Sequence, residues 1–140
     1  MNANKYLRFG CVLDTAHPED KIRKFVVMFS LADGKIKINE PPIRNSGIIG
    51  GKFLSAQLVV RPGSDPNMPE YYTAKDFYIG AVLLICHHLF KVVSADLYVY
   101  RYMQENPEMF SKEAIDGVRN YCLINGNLTQ DIKVNSFINL

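Results

Sequence analysis

The chain of 140 residues has no C-x-x-C pair, no apolar run longer than the six residues Ala81 to Cys86, and no excess of either charge. Its three cysteines, Cys11, Cys86 and Cys122, are odd in number and widely spaced. That argues against a disulfide scaffold or a zinc ribbon and fits a reducing compartment. Six apolar residues fall far short of the roughly 20 that span a bilayer. Sixteen Lys and Arg against fourteen Asp and Glu leave a net charge of +2. Such a balance does not suit a domain that holds nucleic acid by neutralising phosphates. The start, Met1-Asn2-Ala3-Asn4-Lys5, lacks a hydrophobic signal region, and Asn2 stands where myristoylation needs glycine. The expectation is a soluble cytoplasmic protein with no transmembrane segment and no nucleic-acid partner. In that setting the Asn127-Leu128-Thr129 glycosylation pattern is an unused polar turn.

What is present is enough for a core. At 48% hydrophobic, a chain of this length corresponds to about one domain, because domains run to roughly 150 residues. The first two thirds alternate β-rich runs with turn residues, and helical patterns come late. Tyr6 to Leu13 reads as a strand, Thr15 to Lys21 as a polar loop, and Arg23 to Ser30 as a second strand. Asp33-Gly34 signals a hairpin, because glycine accepts positive φ at no steric cost. Lys35 to Asn39 returns, with Ile36 and Ile38 on one face and Lys35 and Lys37 on the other. Pro41-Pro42 ends that strand. Lys52 to Arg61 reads as another strand, and Pro62 to Pro69 as a surface loop. Ala81 to Cys86 reads as a strand covered on both faces, with Leu89 to Val93 completing a hairpin. Asp96 then caps a helix with Val99, Tyr102 and Met103 on one side, ending near Asn106-Pro107. A second helix starts at Ser111, carries Ala114, Ile115, Val118, Tyr121 and Cys122 on a stripe, and stops at Asn125-Gly126. Leu128, Ile132, Val134, Phe137 and Ile138 make the last segment too apolar for a solvated tail. The expected division is a domain over 1–106 and a helical and extended tail over 107–140.

No motif commits the chain to catalysis. Gly47-Ile48-Ile49-Gly50-Gly51-Lys52-Phe53 imitates a phosphate loop, but one residue is missing before the Gly-Lys pair and Phe53 stands where Ser or Thr should. Its glycines are better read as backbone shapes for a compact bend. His87 and His88 are adjacent and point apart, and the Cys86 and His88 pair lacks further ligands, so no metal is expected. His17, beside Asp14, Glu19 and Asp20, has no nucleophile to serve. No calcium loop is present. Tyr71, Tyr72, Phe77 and Tyr78 cluster beside one loop, and Tyr98, Tyr100 and Tyr102 lie on the capped helix. Exposed aromatics of this kind anchor interfaces. Lys35, Lys37, Arg44, Lys52 and Arg61 are candidates for a basic patch.

The run Glu40-Pro41-Pro42-Ile43-Arg44-Asn45-Ser46-Gly47-Ile48-Ile49-Gly50-Gly51-Lys52-Phe53-Leu54 resembles the DM-ten domain of ciliary EF-hand-containing, or protofilament ribbon, proteins. The resemblance continues through Tyr71-Tyr72-Thr73-Ala74-Lys75-Asp76-Phe77-Tyr78-Ile79-Gly80-Ala81 and then His88, Phe90, Asp96, Tyr98, Tyr102 and Met103, over about residues 5 to 105. It is strongest to the last of the three copies in long members. The resemblance implies a mainly β fold, a pleckstrin-homology-like β-barrel capped by a C-terminal α-helix. It also implies a non-enzymatic structural role in the axoneme of cilia or flagella, as a doublet-microtubule inner protein bound to tubulin and other axonemal proteins. No cofactor and no calcium-binding hand go with the matched region. The partner surface expected on this basis is Pro41, Pro42, Arg44, Asn45, Ser46, Gly47, Gly50, Gly51, Lys52 and Phe53, with Tyr71 and Tyr72. The chain departs from the family pattern where His87 replaces a turn glycine and Ser94 replaces an aspartate. Two other functions compete with attachment: phosphoinositide or protein adaptor binding by fold analogy, and nucleotide regulation through Gly47 to Lys52. Glu19 and Asp20 in the first loop oppose a phosphoinositide headgroup.

Overall fold

A computed structural model of the chain describes residues 5–43 and 47–126. Six antiparallel strands form one sheet in the order β4-β3-β2-β1-β6-β5. They are β1 (Tyr6–Leu13), β2 (Lys24–Ser30), β3 (Ile36–Glu40), β4 (Gly51–Gln57), β5 (Val82–Ile85) and β6 (His88–Ala95). Three helices accompany them: α1 (Pro18–Lys21), α2 (Leu97–Glu105) and α3 (Lys112–Ile124). The expected mainly β fold with C-terminal helices is the one the chain adopts.

Alternation decides which way the sheet curls. Leu7, Phe9, Cys11 and Leu13 of β1 are buried, as are Phe25, Val27 and Phe29 of β2 and Ile36 and Ile38 of β3. Side chains two apart share a face, so these residues line one concave surface. The hydrogen-bonded order leaves β4 and β5 as edges. Aromatic rings nevertheless bring β4 and β6 together across the hollow. Phe53 meets Phe90 at 5.6 Å and Phe25 at 5.2 Å, both edge to face. Phe77, from the chain after a 3-10 turn at Ala74–Asp76, enters the same interior and stacks on Phe9 at 5.0 Å. Full burial of one such ring contributes about 2–3 kcal/mol.

Both late helices begin where the sequence signals them. Asp96 accepts the Val99 backbone N–H at 3.0 Å, and Ser111 accepts that of Ala114 at 3.0 Å. Each satisfies one of the unpaired donors of a first helical turn. Ala114, Val118 and Cys122 of α3 lie in the same buried cluster as the strands, along with Val99 and Met103 of α2. On α2 the buried set is Val99, Tyr100 and Met103, and the expected Tyr102 packs half-buried against the same core.

Four other expectations are corrected. Thr15 to Lys21 is not all loop, because Pro18 fixes φ for a first helical position and α1 follows. The strand expected over Lys52 to Arg61 runs Gly51–Gln57, and Val60 instead bridges Tyr71. Ala81 to Cys86 is not covered on both faces: Leu83 and Ile85 are buried while Val82 and Leu84 are exposed. Cys86 belongs to the turn rather than the strand, with φ 52°, and His87 follows at φ 66°. Two consecutive positive φ values make the two-residue hairpin of the primed type, a backbone that favours asparagine and glycine.

Candidate functional site

The bend between β3 and β4 is held at its base by a charged clamp. Arg23 donates from Nε to Glu40 Oε2 and from Nη2 to Glu40 Oε1, both at 2.8 Å, and from Nη1 to Asp20 at 3.3 Å. A fork of this kind is directional as well as strong. Hydrogen bonding to Glu40 holds the Arg23 guanidinium pKa above its ordinary value. The guanidinium also lies over the Phe25 ring, 5.1 Å from its centre. Glu40 is thereby fixed immediately before the proline pair.

Beyond the clamp the chain turns outward. Pro41, Pro42, Gly47, Gly51 and Lys52 are exposed, and Ile43 bridges Ile48. Gly50 is the position that glycine alone can fill. Its φ is 86°, and a Cβ there would lie 2.5 Å from the Glu40 carbonyl oxygen and 2.6 Å from the Pro42 nitrogen. Ile49, next to it, is 89% exposed. A large aliphatic side chain held this far from the core on a braced loop can act as an anchor. The expected surface did not include Ile49, although its place between two irregular glycine backbones is a signal that it points away from the sheet.

The remaining expected site residues do not all join this surface. Arg44, Asn45 and Ser46 lie outside the described residues. Phe53 turns inward among Phe25, Phe90 and His88. Tyr72 is buried, and its hydroxyl accepts the Leu84 N–H at 3.0 Å, which occupies an outward-pointing group of edge strand β5. Tyr71 alone of that pair reaches solvent, at 37% exposure. Arg61 is not part of a basic patch with Lys52: it donates to both carboxylate oxygens of Asp76 at 3.1 Å and ties down the ends of the 62–69 loop.

His17, His87 and His88 line one cleft of about 420 Å³ with Asp14 and Asp20. Among the described residues, however, no group of three or more His, Cys, Asp or Glu side chains is arranged to hold a metal ion. Burial pushes the Cys11 thiol up to about 12 and raises that of Cys122, which disfavours the reactive thiolate at both. Cys86 is exposed. No described helix is long and apolar enough to cross a membrane.

Similarity to known sequences extends over most of the chain. The profile of the DM10 domain matches residues 1–99. EF-hand domain-containing protein 1 of Homo sapiens is 46% identical over 121 residues, 86% of this chain and 19% of the relative. The Mus musculus protein of that name is 47% identical over 120 residues, 86% of this chain and 18% of the relative. EF-hand domain-containing family member C2 of Danio rerio is 44% identical over 112 residues, 78% and 15% respectively. The chain thus spans less than a fifth of the length of these curated relatives.

Proposed function

Because the chain belongs to the DM10 domain family, we propose that it is a non-enzymatic attachment module of the ciliary or flagellar axoneme, seated on the doublet microtubule against tubulin. The observation that supports this most directly is the described part of the bend, Pro41–Ile43 and Gly47–Lys52: braced by Arg23 and Glu40 at its root, shaped by Gly50, and offering Ile49 and Lys52 to solvent. A loop stiffened before it meets a partner loses little entropy on binding. Chemistry would ask for a different arrangement, with a polarised nucleophile or base converging on a cleft.

Ciliated cells supply the test. After detergent extraction the protein is expected to remain with the axonemes, and Ile49→Asp is expected to release it into the soluble fraction while its circular dichroism stays unchanged. Wild-type protein found wholly in the detergent-soluble pool would contradict the assignment.

A further inference from the structure

The net charge of +2 hides a segregation of charge. The six strands hold five cations, Arg8, Lys24, Lys37, Lys52 and Lys91, and one carboxylate, Glu40. Register places all five cations on one side. Arg8 is opposite Met28, which is opposite Lys37; Val12 is opposite both Lys24 and Lys91; Asn39 is opposite both Val26 and Lys52. Each of these rows alternates with the buried rows of the concave face, so the five cations stand on the outward face of the sheet. Glu40 is consumed by Arg23. The ion pairs of Arg23 and Arg61 do not involve the five, and no described carboxylate pairs with any of them. Lys37 sits 4.5 Å over the Tyr6 ring, a contact that leaves its charge intact.

This face is not uniformly polar. Between Arg8 and Lys52 runs a trough of about 570 Å³, lined by Val26, Pro41, Pro42 and the Arg23-bound Glu40, with Met28, of which only 6% is exposed. Cations on a rim with apolar groups below it fit a ligand carrying carboxylates and hydrocarbon side chains together. We propose that the outward face of the sheet binds an acidic, extended segment of a partner protein, with carboxylates on Arg8 and Lys52 and apolar side chains against Val26, Pro41 and Pro42. A nucleic-acid backbone has phosphates for the rim and nothing for the trough. A bilayer surface meets the rim without reaching the floor. The proposal rests on the reading of the chain as a binding module and adds the chemistry of its partner.

The test uses the full chain and a fluorescent glutamate-rich peptide interspersed with valine, compared with the lysine version of that peptide, a single-stranded oligonucleotide and phosphatidylserine vesicles. The acidic peptide is expected to bind best, to weaken with added salt, and to lose roughly tenfold or more in affinity in Arg8→Gln with Lys52→Gln. Lys112→Gln, on α3, is expected to leave it unchanged. Equal binding of the lysine peptide, an equal loss in Lys112→Gln, or stronger capture of the oligonucleotide or vesicles would overturn it. The double variant is also carried through the axoneme extraction. If it loses the peptide but stays with axonemes, this inference stands and the axonemal contact lies elsewhere. If the wild type binds no acidic peptide yet stays with axonemes, the inference fails and the module reading survives.

Discussion

At the scale of single residues the account turns on Gly50 and the cysteines. Gly50 and Gly63 share a left-handed backbone, φ 86° and 80°, but only Gly50 has backbone atoms where a Cβ would go. Alanine at either position meets the left-handed penalty of about 1–2 kcal/mol. Gly50→Ala adds an overpacking cost of about 1–3 kcal/mol. Urea denaturation is therefore expected to show Gly50→Ala as clearly the less stable, and equal losses would mean that the bend yields to the intruding methyl. Cys11 yields a dependence on pH. Its folded value of about 12 lies above the ordinary 9.0. The folded state therefore keeps a proton that the unfolded chain gives up, so stability present below pH 9 falls as the pH rises toward 12. Unfolding midpoints are expected to drop as the pH rises from 8.5 to 10.5, and less steeply in Cys11→Ala. An identical slope in the variant would remove Cys11 as the cause.

Among the elements, the β5–β6 hairpin carries a local conflict. Its turn requires positive φ at Cys86 and His87, positions that favour Asn and Gly. Cys86→Asn with His87→Gly is expected to raise the melting temperature, a gain of about 1 kcal/mol. A fall would show that the two side chains hold the hairpin through contacts of their own. The same hairpin explains what sequence reading can and cannot see. The apolar run Ala81 to Cys86 predicts a strand correctly. The exposure of Val82 and Leu84 is invisible in it, because β5 is an edge whose outer face no described element covers. The caps Asp96 and Ser111 are legible because capping is local chemistry between residues three apart. The Arg23–Glu40 clamp spans 17 positions, and no local pattern announces such a pair. The basic face was likewise hidden. Lys35, Lys37, Arg44, Lys52 and Arg61 are neighbours along the chain, whereas the cations that share the outward face include Arg8, Lys24 and Lys91 through strand pairing.

For the whole molecule, the fold gives one small sheet a packed apolar side and a charged side. The concave side is filled by aromatic contacts among Phe9, Phe25, Phe77 and Phe90. The other side carries the five cations, none of them paired with a described carboxylate. The bend leaves the sheet next to that face, since Pro41, Pro42 and Lys52 border the trough that holds Arg8. Bend and outward face therefore form one continuous surface suited to attachment. The decisive measurement is a cryo-electron microscopy map of an intact axoneme, resolved well enough to place this chain. The account predicts the chain on the doublet microtubule, with Ile49 and the Pro41–Pro42 wall seated against a neighbouring protein. A chain absent from the axoneme, or one placed there with that bend facing open solvent, would contradict it.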